Sequence, residues 1–322
     1  MIRITNLENG LDLFKALGSD VRVRILEILQ NDDHQNMNSL AEELGITNGA
    51  LTAHIRKLEE CGLIRITSKS TGHGNQKIAS LAENRILIEF TEKTPEEHIF
   101  KTSIPVGHYS ACDVYPTCGL ATSEHLIGNV DDQRYFFHGD RFQAQILWFT
   151  RGYIEYIIPN FIPYGQKIDE LSFSMELSSE APGFNENWPS DITFSLNGVD
   201  IATWTSPGDF GQVRGLLNPD WWFDDWNQYG LLKMLQINQK GTFIDGVKQS
   251  DVSISSFHLT DRSKITLRLS VREDAQHVGG LTLYGKSFGN YDQDINVRIS
   301  YNPLAEKEGE ESAADTAQEG TS

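Results

Sequence analysis

The chain has 322 residues, 39% of them hydrophobic and 22% charged, with 27 Lys and Arg against 45 Asp and Glu for a formal net charge of −18. That composition fits a globular chain long enough for two or more domains. It excludes a membrane-spanning helix, which needs roughly 18 or more uncharged apolar residues; the most apolar stretch, 145–165, is broken by Arg151 and Glu155. The first five residues lack the apolar core of a secretory signal, and Cys61, Cys112 and Cys118 are an odd number that cannot form a full disulfide framework. A cytoplasmic protein with reduced thiols and no membrane partner is expected.

The two ends of the chain follow different patterns. Residues 1–90 carry a net charge of −2 and the remainder −16, all ten prolines lie at Pro95 or later, and all six tryptophans at Trp148 or later. The first 90 residues show the 3.6-residue period of helices. Three segments are therefore expected: 1–90, a β-rich 91–303, and an acidic tail, 304–322, with too little apolar content to order.

In chain order, Leu11, Leu13, Phe14 and Leu17 form a helical face ending at Gly18, read as a left-handed C-terminal glycine. Ser19 or Asp20 caps a second helix over 21–30, and 31–38 is a loop. Ser39 opens a short helix through Leu44, stopped by Gly45, and Thr47 or Asn48 caps a fourth over 49–60 with Leu51, Ile55 and Leu58 inward. Residues 63–67 then alternate as a strand, 71–75 turn, and 77–81 return as its partner.

Three helices with a tight turn before the last, then a β-hairpin, is the order of a winged helix-turn-helix, whose final helix enters the major groove of double-stranded DNA. Thr47, Asn48, Ala50, Leu51, Thr52 and His54 are the candidates for reading bases, with Arg56 and Lys57 better placed for phosphates. In the hairpin, Arg65, Lys69, His73 and Lys77 are candidates for the flanking backbone. His54 is equally readable as a packing residue, Arg56 and Lys57 as solvated helix residues, and Cys61 as a small buried one.

Three consecutive segments, residues 14–26, 40–46 and 51–64, resemble the ArsR family of bacterial transcriptional regulators. The resemblance covers about the first 85 residues. It implies a homodimer that sits on an operator and represses until an effector releases it. The family's Cys-x-Cys metal motif is missing from 38–44, and no Asp-x-His pair follows the hairpin, so metal sensing at those sites is not expected.

Beyond residue 91 the period becomes two. Residues 171–177, 252–255, 265–271 and 295–301 alternate as strands, and 191–204 reads as a hairpin around an Asn197-Gly198 type I′ turn. The fold class expected is an α+β multidomain chain, the winged helix-turn-helix preceding an antiparallel β-sandwich or jelly-roll-like domain.

One segment, 218–229, mixes aromatics with acids and amides: Asp220, Trp221, Trp222, Asp224, Asp225, Trp226, Gln228 and Tyr229. A sugar needs flat apolar faces for its C–H groups and planar hydrogen-bonding partners for its hydroxyls. The same tryptophans could instead plug the core, and the two readings stand side by side. The glycine-rich 279–291 lacks the spacing of a phosphate loop and reads as tight turns approaching a neighbouring strand or a ligand. His108, Cys112, Cys118 and His125 do not match a zinc knuckle, and adjacent Asp224 and Asp225 would point to opposite faces of a strand. No metal, cofactor or catalytic residue is therefore assigned.

The leading expectation is a DNA-binding repressor whose β-rich domain senses a small effector, plausibly a carbohydrate. Two rivals are a constitutive oligomerisation or partner-binding domain, and a DNA-tethered glycan-active enzyme.

Overall fold

The computed structural model describes residues 2–4, 7–31, 35–71, 74–83, 86–88 and 98–303, excepting the side chains at 3, 69–71, 74–75 and 87. The acidic tail 304–322 lies outside the described residues. The chain divides into two compact units, Met1–Lys93 and Thr94–Ser322.

In the first unit, strand β1 (Ile2–Ile4) precedes helices α1 (Leu11–Leu17) and α2 (Asp20–Asn31), short strand β2 (Gln35–Asn36), and helices α3 (Met37–Leu44) and α4 (Asn48–Glu60). Strands β3 (Ile64–Thr71) and β4 (Gly74–Leu81) form the antiparallel wing, and β5 (Ile86–Ile88) pairs in parallel with β1. Ile25, Leu29, Leu40, Leu51 and Leu58 are fully buried where the helices meet.

Two local expectations are corrected. Gly18 has φ −75° and is not left-handed; buried Arg22 takes the terminal carbonyls of α1 instead, its Nε donating to Ala16 O at 2.6 Å and its Nη2 to Lys15 O at 2.7 Å. Asn36, not Ser39, opens α3: its Oδ1 accepts from the backbone N–H groups of Asn38 and Ser39, both at 2.9 Å, which starts the helix earlier.

The joint between α3 and α4 follows the sequence pattern. Gly45 turns left-handed at φ 65° and donates to the carbonyls of Ala41 and Glu42, and Thr47 Oγ1 then accepts from Ala50 N at 3.3 Å to cap α4.

Among the described residues the second unit is one twelve-stranded sheet whose strand pairs are all antiparallel. Its strands are β6 (Ile99–Ile104), β7 (Ala111–Ala121), β8 (Ile146–Ile158), β9 (Gln166–Ser178), β10 (Ser190–Leu196), β11 (Val199–Ser206), β12 (Leu231–Asn238), β13 (Gly241–Ile244), β14 (Val247–Ser250), β15 (Ile265–Val271), β16 (Leu281–Tyr284) and β17 (Ile295–Pro303). The order is β11-β10-β15-β8-β16-β9-β12-β13-β14, with β7 on β8 and with β17, which carries β6, on β9. Four-residue β16 is the link, pairing with β8 on one side and β9 on the other. The far end of the sheet curls back until β11 lies beside β13 and β14, where Ser250 Oγ donates to Ile201 O at 2.6 Å. The result is a nearly closed, barrel-like sheet.

Period-two patterning accounts for the burial. Ile265, Leu267, Leu269 and Val271 of β15 are fully buried, while the residues between them are half-buried. The hairpin turn has Asn197 at φ 47° and Gly198 at φ 81°, as a type I′ turn requires. The alternation at 252–255 does not make a strand. Residues Ile254–Phe257 form a 3-10 turn, because Ser253 and Ser255 hydrogen-bond to one another at 3.0 Å and Ser255 donates to Gln239 Oε1 at 2.8 Å, competing with sheet pairing.

Candidate functional site

The polar face of α4 in the first unit is built by capping and by core packing together. Leu51, Ile55 and Leu58 turn inward, which leaves Thr47, Asn48, Ala50, Thr52, Arg56 and Lys57 exposed on the other side. Asn48 Nδ2 donates to Asn38 Oδ1 at 3.1 Å, tying α4 to α3, and Thr52 Oγ1 donates to Asn48 O at 2.7 Å. Arg56 pairs with Glu60 at 2.8 Å, an exposed i,i+4 contact that phosphate can replace at little cost. His54 is half-buried, and burial, reinforced by Arg22 and Lys57, holds its imidazole below the usual histidine range. One candidate is corrected: Leu51 is fully buried in the core and cannot reach a base edge.

On the wing, Lys77 is exposed, whereas Arg65 is half-buried with its Nε buried and unpartnered among the described residues. His73 and the side chain of Lys69 lie outside the described residues.

In the second unit, the 218–229 segment divides between core and cavity. Trp222 is a core plug, 2% exposed, meeting Trp148, Trp221, Trp226 and Phe288 edge to face at centroid distances of 4.8–5.8 Å. Gln228 is fully buried and structural, its Nε2 donating to Phe223 O and Trp226 O while its Oε1 accepts from Asn218 Nδ2 at 2.8 Å. Trp221 is half-buried and donates to Ser123 O at 2.8 Å, and Tyr229 stacks on Phe210. Asp220, Asp224 and Asp225 are exposed, and Asp224 is held by Arg214 at 2.5 Å. The glycine-rich 279–291 does approach a neighbouring strand: the backbone N–H groups of Asn290 and Tyr291 donate to buried Glu176 of β9.

Trp226 alone of the eight loop candidates borders a cavity of about 220 Å³, together with Thr117, Val130, Asp131, Trp148, Glu180, Ala181, Pro182, Gly183 and Asn227. Thr117 comes from β7, Trp148 from β8 and Glu180 from just beyond β9, so the cavity lies where these strands gather around β16. Glu180 is 7% exposed and accepts from Thr117 Oγ1 at 3.1 Å and from Asn227 Nδ2 and Thr282 Oγ1, each at 3.2 Å. Burial, together with the neighbouring carboxyl of Asp209, holds Glu180 well above the usual carboxylate range. Burial pushes Asp209 itself up to about 8. Burial, with the carboxyls of Asp131, Asp132 and Glu180 nearby, pushes the Cys118 thiol up to about 12, which makes it a poor nucleophile and metal ligand. Among the described residues no three His, Cys, Asp or Glu side chains gather as a metal site.

Residues 19–65 match the winged helix-turn-helix DNA-binding family. Over 76 residues, 24% of this chain, it is 38% identical to the uncharacterized protein MJ0432 of Methanocaldococcus jannaschii and covers 82% of that protein. It is 33% identical over 75 residues to the uncharacterized HTH-type transcriptional regulator MJ0229 of the same organism, covering 23% of this chain and 78% of that one. The chain belongs to the winged helix-turn-helix transcriptional regulators. A solved fragment of a possible transcriptional regulatory protein from Mycobacterium bovis aligns at 21% identity and a TM-score of 0.21, over 24% of this chain and 77% of that one.

In this regulator the DNA-binding fold is carried by contiguous sequence, whereas the cavity is assembled from distant segments. Sequence reasoning missed Thr117, Asp131, Trp148, Glu180 and Asn227 as neighbours of Trp226. The available signal was Glu180 itself, an acid directly followed by Ala-Pro-Gly at the end of a strand pattern. Among the described residues, no helix of the regulator is long and apolar enough to cross a membrane.

Proposed function

We propose that this regulator is a dimeric, ArsR-type repressor that reads double-stranded operator DNA with α4 and senses a small effector in its β-rich unit, working in the cytoplasm without turnover of the ligand. The observation that carries the reading is the division of α4 into a buried apolar face and an exposed polar face beginning at a capped N-terminus, the end that meets base edges in this family of folds. The resemblance of residues 14–26, 40–46 and 51–64 supports the ArsR type, the dimer and repression. The cavity bordered by Trp148, Trp226 and Asn227 supports an effector, with a carbohydrate the first candidate because indole and amide share one small space.

Regulation then follows from linkage: an effector that binds the DNA-free conformation more tightly lowers operator affinity by at most its differential affinity for the two states. The test is selection of bound duplexes from a random library by the full chain, followed by affinity measurement with and without candidate effectors. A single enriched palindromic motif is expected, with binding lost in the Arg56→Ala, Lys57→Ala double variant. Equal retention of all duplexes, or an unaffected double variant, would remove α4 from the reading.

A further inference from the structure

The cavity in the β-rich unit has an unusual charge balance for a sugar site. Its border holds two acids, Asp131 and Glu180, and no Lys, Arg or His among the described residues. A ligand carboxylate or phosphate would find no positive charge there.

A neutral sugar is poorly matched to Glu180 for a different reason. Both oxygens of that carboxyl already accept hydrogen bonds within the protein, Oε1 from Thr117 and Oε2 from Asn227 and Thr282. Its acceptor capacity is largely occupied, so a further hydroxyl adds little. Burial disfavours the ionised form of this carboxyl, and a positive charge placed beside it would favour that form.

A second buried acid lies behind the border. Asp209 is fully buried; its Oδ2 accepts from the backbone N–H of Ala181, a residue bordering the cavity, at 3.0 Å, and its Oδ1 has no partner among the described residues. Glu180 thus borders the cavity itself, and the Asp209 carboxyl lies behind the neighbouring residue Ala181. The indoles of Trp148 and Trp226 border the same space, and indole is the strongest aromatic partner for a cation.

We propose that the cavity takes a small molecule bearing an ammonium group, its apolar body against Trp148 and Trp226 and its positive charge beside Asp131 and Glu180. This rests on the effector reading above and specifies the chemistry of that site. A protonated amine on a sugar ring and a quaternary ammonium share this chemistry, and both are probed.

The experiment is titration of the full chain with glucosamine, glucose, N-acetylglucosamine and choline, followed by tryptophan fluorescence and calorimetry. Glucosamine or choline is expected to bind at least tenfold more tightly than glucose. Saturation by glucosamine alone identifies an amino sugar, and saturation by choline a quaternary ammonium. Glu180→Gln should remove most of the preference. Asp131→Asn gives a second readout if that variant does not fold, because Asp131 is exposed and asparagine tolerates its φ of 62°.

Glucose and N-acetylglucosamine binding as tightly as glucosamine, with all three lost on Trp226→Ala, would overturn the inference while leaving the effector pocket in place. Silence with every probe would overturn both.

Discussion

Trp226 meets Trp148 edge to face, ring centroids 5.9 Å apart and planes inclined at 68°, and both indoles border the cavity that Glu180 also lines. Trp222, four residues earlier, touches both rings yet does not reach the cavity. One loop therefore supplies a core residue and a site residue of the same type, and they should respond differently to truncation.

Trp222→Ala removes a fully buried side chain and should destabilise the β-rich unit by about 3–5 kcal/mol, a fall in thermal midpoint on the order of 10 °C for a unit of this size. Trp226→Ala removes a half-buried ring and should cost roughly 1–2 kcal/mol. Thermal unfolding followed by circular dichroism separates them; equal losses would return Trp226 to the core.

The contrast between these tryptophans also shows what the sequence makes legible. The helices, the Gly45 turn, the Thr47 cap and the Asn197-Gly198 hairpin are each determined by a few neighbouring residues, so their patterns can be read directly. Gly18 departs from its local pattern because the group satisfying the end of α1 is Arg22, on the next helix, which no local rule identifies. The 218–229 segment announced aromatic and polar chemistry but not its partition. Whether Trp222 or Trp226 faces a cavity depends on where Trp148 of β8 and Phe288 arrive, and those contacts span scores of residues. Glu180 was invisible for the same reason, since its partners Thr117, Asn227 and Thr282 come from three separate segments.

Within the first unit, position 51 should separate from positions 56 and 57. Leu51→Ala empties a fully buried site and should destabilise that unit by about 2–5 kcal/mol. Arg56→Ala and Lys57→Ala should leave the thermal midpoint nearly unchanged, because both are exposed and the Arg56–Glu60 pair contributes little. Each should instead weaken operator binding and reduce the slope of log affinity against log salt by about 1. Anisotropy titrations between 50 and ~200 mM salt read this directly; an unchanged slope would mean that neither residue meets phosphate.

The turn before α4 gives a test of pre-organisation. A Cβ at Gly45 meets no atom within 4 Å, so Gly45→Ala is opposed only by the left-handed φ of 65°. The expected cost is about 1 kcal/mol, and Thr47→Ala should cost a similar ~1 kcal/mol through loss of the bond to Ala50 N. Gly45→Asn, which tolerates the left-handed region, should recover most of the loss. If Ala and Asn proved equally stable at position 45, the strain would not be backbone in origin.

Asp209 links the stability of the β-rich unit to pH. Burial raises its folded carboxyl to about 8, against a value near 4 in the unfolded chain. Between those limits the folded chain holds a proton that the unfolded chain has lost, so raising pH across this window favours unfolding. The contribution is fully present below about pH 4 and lost as pH rises through about 8. Glu180, raised in the same direction by burial and by Asp209, adds to the slope. Asp209→Asn is nearly isosteric, keeps an acceptor for the Ala181 N–H, and cannot ionise. Its thermal midpoint relative to the wild type should therefore rise steadily from pH 5 to 8.5. Taking the difference between the two proteins cancels the titration of the nine histidines and the general repulsion of a chain at −18. A difference that stays flat over that range would show that Asp209 is ionised in the folded protein, with a cation or solvent reaching it.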